Sequence, residues 1–511
     1  MWTSFLLLLL LVTFGACVIP RQCVHELRLP PGHPRRICCP SRCGGPARGL
    51  CVPVRLRWGL PGEVRYHTFH FQTYFDDRLQ WPIRLFHRVC RCRPNFSGPD
   101  CRQCAPGHSG RRCEKFKPRM RKNIEHMSRR QQRDYQRVLD AARHMWSDYY
   151  IFDDLKRGHT DPIRRPVLRR ARVHQAVVYL HQYPSRPTQV HRSVCGRIHR
   201  WDYSHVGLAF ATWHRAFLLW WETQLLKVVQ RLNDNERRRL LREKLRHRKS
   251  SRRRRRRGHR RNGRRQRRKG RSARIIRNFA IPYWDWTGKD GCTICTDSVV
   301  GETNRHGYFN RNFFMSRWKE YCPSPSHCGG CNSFGRLAPM RRKWIRHRFP
   351  GERNVRAVLK LPRYVRTLTD YGNMKKCHGF AAAIEGFCNN GANGQVNPHL
   401  YMHNYVHTMV RGSFGEATAS PNDPLFMLHH AQTDRLFEKW LRHHGHKQGN
   451  YLRRSRNAYD NFALPTRYQL VGQCGLCNLV GFIQPITHAE LFKESRKIGV
   501  VYDSMKFGSI P

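Results

Sequence analysis

From Tyr135 onward, apolar residues recur at three- and four-residue steps: Val138, Leu139, Ala142, Met145, Trp146 and Tyr149 form one series. That step puts them on one face of an α-helix. Ser128, with Gln131 three residues later, supplies the Ser-x-x-Gln pattern of an N-terminal capping box. The same periodicity predicts a second helix over 168–183 and a third starting near His214, with Phe217, Leu218, Trp221 and Leu225 on one face. A fourth covers 400–410. A fifth runs from Pro424, with Asp423 as its N-cap, to Gly445. No comparable series of alternating strands is present, so the expected architecture is mainly α, a helix bundle with long irregular connections.

Cysteines change the picture upstream of these helices. Residues 18–117 are dense in them, and the second half reads Cys90-x-Cys92, Cys101-x-x-Cys104 and Cys113, with Gly98, Gly107 and Gly110 between. Close cysteines and turn glycines describe a small EGF-like module held by disulfides in place of a core. It carries the one N-glycosylation sequon, at Asn95. Residues 1–17 contain the apolar run Phe5–Val12 followed by small residues, which predicts a signal peptide. Of the 21 cysteines, Cys17 falls at the cleavage zone and the other 20 suit pairing in an oxidising compartment. No later stretch is long and apolar enough to span a bilayer. The expected order is a signal peptide (1–17), the EGF-like module (18–117), a helical domain (118–470) and a C-terminal tail without a membrane span (471–511).

The net charge is +62, and much of it is local: Arg237–Arg277 carries 24 Lys and Arg residues against the single Glu243. Leu240, Leu241 and Leu245 extend the preceding helix, but Ser250–Arg271 has almost no apolar residues. Such a run self-repels and buries no core, so it is expected to be disordered. A solvated insertion, a polyanion contact and a dibasic processing site are all compatible with it.

Among 30 histidines, spacing singles out a few. His403 and His407 stand four residues apart on one helix face, where both imidazoles reach one metal ion. His430 lies on the next helix, with Asp434 one turn further on, at an offset suited to supporting a ligand-bearing helix. In the other half, His181 shares a helix face with His174, His205 sits in a loop and His214 starts the next helix. Imidazole sets without thiolate suit copper or zinc, and the core of a helix bundle is a recurrent place for a two-metal site. Core or capping roles for the second group of histidines stay open on spacing alone.

Longer strings narrow the choice. The chain contains His205-x8-His214-Arg-Ala-Phe-Leu, Ile281-Pro-Tyr-Trp-Asp-Trp286, His403-x3-His407 and Asn422-Asp-Pro-Leu-Phe-Met-Leu-His-His430, in that order. It resembles the type 3 copper signature of the tyrosinase family. Cys38-Cys39-Pro40, Asp76-Asp77-Arg78, Trp81-Pro82 and Cys292-Thr-Ile-Cys295 resemble the animal members. The resemblance implies that His181, His205 and His214 hold one copper ion and His403, His407 and His430 a second, with His429 a neighbour. It further implies that Glu385 and Asn404 hold a water that takes a phenol's proton, that Phe426 packs over the ligands, and that Ala417 and Ser420 line the substrate site.

The activity so implied is oxidation of phenols and catechols such as L-tyrosine and L-DOPA to o-quinones by O2, in melanin-type pigment synthesis. Secretion or a melanosome-like lumen of the secretory pathway is the expected location. Two other functions share the framework: a zinc-containing tyrosinase-related protein such as a dopachrome tautomerase, and an oxygen carrier of the hemocyanin kind. His429 before His430, Phe387 and Leu400 resemble tyrosinases over the related proteins. Cys377, Cys388, Cys474, Cys477 and the basic insertion match no position of the family.

Overall fold

The computed structural model describes residues 18–30, 32–54, 78, 81–83, 85–152, 168–185, 202–205, 209–256, 274–321, 338–343, 348–362, 364, 379–386, 402–416, 420–445 and 479–505, with backbone alone over 247–256. The expected signal peptide and the positions Cys377, Phe387, Cys388, Leu400, Ala417, Cys474 and Cys477 lie outside them.

The N-terminal module is built as its cysteines suggest. Five disulfides close it: Cys23–Cys38, Cys39–Cys51, Cys43–Cys90, Cys92–Cys101 and Cys104–Cys113. Between them run short two- and three-stranded sheets, the largest pairing Arg88–Cys92 with both Ile37–Cys38 and Gly49–Pro53. A sixth bridge, Cys292–Cys295, pins a loop of the main domain.

Helices form the main domain: α1 (Arg129–His144), α2 (Val173–Ser185), α3 (Phe210–Arg256), α4 (Glu352–Leu359), α5 (Phe380–Glu385), α6 (Met402–Val410), α7 (Leu425–Gly445) and the short α8 (His488–Leu491). Both bonds of the capping box at Ser128 and Gln131 are present. Asp423 takes the Leu425 N–H at 2.9 Å and forms a fully buried pair with Arg342 at 2.7 Å, so one carboxylate both starts α7 and anchors it. The chain segment around Trp284 and Trp286, both fully buried, threads irregularly between helices. There Asp285 accepts from Gln432 and Arg435 of α7 at 2.7 and 2.9 Å.

Three differences from the expected layout have physical causes. First, α1 stops at His144, and Trp146–Phe152 is a strand between Val18–Pro20 and Leu168–Arg172. Trp146 and Tyr149 fit a helical step, but aromatic and β-branched residues over 146–152 favour a pleated surface that the N-terminal strand covers. Second, 479–505 is no peripheral tail: Leu479, Val480 and Tyr502 are buried, and Val500–Tyr502 pairs in parallel with Arg119–Arg121. Trp213 and Trp81 donate to the Val480 and Phe482 carbonyls at 2.9 Å.

Third, the helix extension expected through Leu245 goes further, and the disorder expected over Ser250–Arg271 does not hold for its first residues, because α3 continues to Arg256. Arginine is a good helix former, and a long buried helix has already overcome nucleation. Pairs Asp234–Arg237, Glu236–Arg239 and Arg239–Glu243, at 3.0, 2.7 and 2.6 Å, offset repulsion over the first turns.

A buried ion network joins these pieces. Arg215 of α3 donates to Asp434 of α7 at 2.5 Å, and Arg121 reaches Glu222 and Asp434 at 3.1 and 3.4 Å. Asp434, read from sequence as support for a ligand-bearing helix, holds α3 through the residue next to His214. Among the described residues no helix is long and apolar enough to cross a membrane.

Candidate metal centre

The helical step that predicted α6 aims His403 and His407 the same way, and α7 brings His430 to meet them. Their Nε2 atoms form a tight triangle: His403 to His430 3.0 Å, His403 to His407 3.1 Å, His407 to His430 3.3 Å. The second cluster joins His181 from α2, His205 from the loop before α3 and His214 from its first turn. His181 and His214 face each other through Nε2 atoms at 3.4 Å. All six rings are part-buried or buried.

Which nitrogens carry protons follows from the opposite edge of each ring. His407 Nδ1 lies 2.7 Å from the Phe414 carbonyl and His214 Nδ1 2.9 Å from the Phe210 carbonyl. A carbonyl only accepts, so these Nδ1 atoms are protonated and the Nε2 atoms present lone pairs. His403 Nδ1 meets Asn404 Oδ1 at 2.9 Å, and His205 Nδ1 meets Asp202 Oδ2 at 3.0 Å. Burial, and then the neighbouring rings, drive His214, His403 and His430 well below the usual imidazole range. Burial brings His407 down to about 4. His403 and His407, both held by Nδ1, therefore point Nε2 lone pairs at each other at 3.1 Å, which is repulsive unless a cation lies between them. Ligand nitrogens about 2.0–2.1 Å from one tetrahedral ion stand roughly 3.3 Å apart, so the donor set fits a metal.

The clusters adjoin. His214 stacks on His430 with centroids 4.4 Å apart and planes at 21°. Phe426 stacks on His430 at 3.9 Å and meets His181 edge-on at 4.9 Å, so it touches both clusters as expected. His429 lies parallel to His403 at 4.8 Å, and its position keeps it among the four histidines grouped on that side. His174 is apart from both clusters: Pro421 O accepts from its Nε2 at 3.0 Å and Arg143 donates to its Nδ1 at 3.1 Å. Burial and that guanidinium bring His174 down to about 3. It is a core histidine.

Glu385 is buried at the end of α5. Gly386 after it adopts φ 109° and packs so closely on α6 that an added Cβ would lie 3.0 Å from the Asn404 Cβ. Two neighbours of the histidines escaped the sequence reading. Burial works against the Asp202 carboxylate, yet the His205 ring and the backbone N–H groups beside it bring it down to about 2. Its place three residues before His205 was the available signal. Phe210, one turn before His214, packs on His214 at 4.8 Å and His403 at 4.6 Å, a second ring shared by both clusters. Ser420 accepts no lining role by contact alone: its hydroxyl donates to the Phe414 carbonyl at 2.6 Å and lies 3.3 Å from His407 Nδ1.

Comparison with known proteins bears on both regions. The common central domain of tyrosinase matches residues 171–443, and the laminin EGF domain matches residues 84–119. The tyrosinase of Oryzias latipes is 28% identical over 499 residues, covering 88% of this chain and 79% of that protein. The tyrosinase of Pelophylax lessonae is 29% identical over 535 residues, covering 99% of this chain and 85% of that protein. The 5,6-dihydroxyindole-2-carboxylic acid oxidase of Homo sapiens is 26% identical over 520 residues, covering 95% and 82%. With the central-domain match spanning more than half of the sequence and containing both histidine clusters, the chain belongs to the tyrosinase family.

Proposed function

We propose that the protein is a copper oxidase that converts monophenols and catechols, with L-tyrosine and L-DOPA as the expected substrates, to o-quinones with O2. In this reading His181, His205 and His214 hold one copper ion and His403, His407 and His430 the other. The observation that carries it is the convergence of imidazole Nε2 atoms, on rings of which four are held by Nδ1, at two adjoining points. When bound, a copper pair supplies the activation of O2 and the oxidation of the phenol.

The chain's own residues do the rest. The Phe210 and Phe414 carbonyls, Asp202 and Asn404 hold four of the rings by Nδ1, so the donor atoms are oriented before a metal arrives. Phe210 and Phe426 each pack an apolar ring on histidines of both clusters and so hold the two sets in register. A phenol with a pKa near ~10 must lose its proton to coordinate at neutral pH. Glu385, buried beside the turn that packs on Asn404, receives that proton through a shared water. Its products feed melanin-type pigment synthesis in a lumen of the secretory pathway, a location that six disulfides among the described residues support.

A zinc-containing relative that consumes no O2 would keep the same imidazoles. His429 beside His430 favours the oxidase, because the related proteins usually carry leucine there. Metal analysis of His403→Gln tests the site. Two copper ions per chain in the parent and one in the variant, with oxidase turnover lost, is the expected result. His174→Gln, whose ring is committed to Pro421 and Arg143, should keep both ions. Full copper and turnover in His403→Gln would overturn the assignment.

A further inference from the structure

The basic insertion leaves and rejoins the domain at one point. Asn233 of α3 exchanges two hydrogen bonds with the returning backbone, accepting from Ile276 N–H at 2.8 Å and donating to its carbonyl at 2.9 Å. One turn on, Glu236 accepts from the Arg274 N–H at 3.0 Å while also pairing with Arg239 at 2.7 Å. The described ends of the insertion therefore meet at a closed base. Beyond that base α3 runs on to Arg256, and every residue from Leu241 to Arg246 is exposed.

Arg238, Arg242 and Arg246 follow one another at four-residue steps, about 6 Å of rise each, and so form one row along the helix. Together with Asn235, Arg239 and Glu243 they line a shallow groove on its surface. Arg239 is taken up by Glu236 and Glu243. None of the three row arginines pairs with a carboxylate among the described residues, so their guanidiniums are presented outward as bidentate donors.

We infer that the projecting part of α3, through Arg238, Arg242 and Arg246, is a docking surface for a linear sulfated polysaccharide. The charge complementarity is direct, and each guanidinium fork matches the oxygens of a sulfate group. A lipid surface fits less well. Leu241 and Leu245 are 58% and 48% exposed, but the sequence has no apolar residue from Arg246 to Arg256. An interfacial helix needs an apolar face along its length.

Immobilised heparin tests this with the full-length, copper-loaded protein. The arm variant is R238Q/R242Q/R246Q, in which glutamine keeps the helix propensity. The control is R129Q/R130Q/R133Q, which removes the same charge from exposed positions on α1. The parent should be retained at about 0.15 M salt, and the arm variant should lower the slope of log retention against log salt by about two, at roughly 0.7 per contact. The control should lower it by well under one, and unchanged oxygen uptake in all three proteins would show that each is folded. Equal losses in arm and control variants, or no retention of the parent, would overturn the proposal. Tighter binding to vesicles containing phosphatidylserine than to heparin, lost in the same arm variant, would overturn the choice of partner.

Discussion

Asp202 ties the loop before α3 to a ring of the first cluster, which makes it a probe of the histidine clusters. Its carboxylate accepts from the His205 backbone at 2.8 Å and from His205 Nδ1 at 3.0 Å, fixing both the loop and the ring. Asp202→Asn keeps the shape but can offer its amine in place of an acceptor. Copper affinity should fall by about 10–100-fold, measured by competition with a chelator. Lys439 is a second test at this scale. Burial, reinforced by Arg435, brings its ammonium down to about 7. Between pH 7 and the unfolded value near 10.5 the unfolded chain binds the extra proton, so this group's contribution makes stability rise with pH across that window. Below pH 7 both states are protonated and the burial penalty is felt in full. Lys439→Met should therefore raise the melting temperature by about 2–4 °C at pH 6, with the gain shrinking towards pH 10. A gain that grew with pH would contradict the assignment.

At the scale of elements, the end of α5 decides how the two candidate proton-handling residues approach each other. Gly386 terminates the helix in the left-handed region and leaves no room for a side chain against Asn404. In Gly386→Ala both the φ of 109° and the 3.0 Å approach oppose the native turn. Asn404 holds His403, so the displacement should reach the site. Monophenol turnover is expected to fall roughly tenfold, and catechol turnover less, because a catechol ionises more readily. Equal effects on both substrates would separate Gly386 from the proton step.

What the sequence made legible also divides by element. α1 and α7 were readable because each has one apolar face and a capping residue, and for α6 the spacing of His403 and His407 survives any small error in helix ends. The strand Trp146–Phe152 was not, since its aromatic residues satisfy a helical step as well as an alternating one and only its partners Val18–Pro20 and Leu168–Arg172 choose between them. The basic end of α3 beyond Ser250 was misread for a related reason: lack of apolar residues excludes a buried helix but not an exposed one that continues a helix already formed.

Across the whole molecule, residues remote in sequence close around the histidines, and local patterns could not announce that. Arg121 from the strand leaving the Cys-rich module, Glu222 of α3, Asp434 of α7 and Tyr502 near the C-terminus share one buried network. Two side chains packed on both clusters, Phe210 and Phe426, come from different helices. Phe426 was accessible through a family string, whereas Phe210 had no distinguishing neighbour. The central claim concerns the product of all these contacts, a pair of adjoining imidazole sites that oxidise phenols. Oxygen uptake by the copper-reconstituted protein, with L-tyrosine and L-DOPA supplied separately, tests it most directly. The account predicts uptake with both; no uptake from either by protein carrying its full metal complement would contradict it.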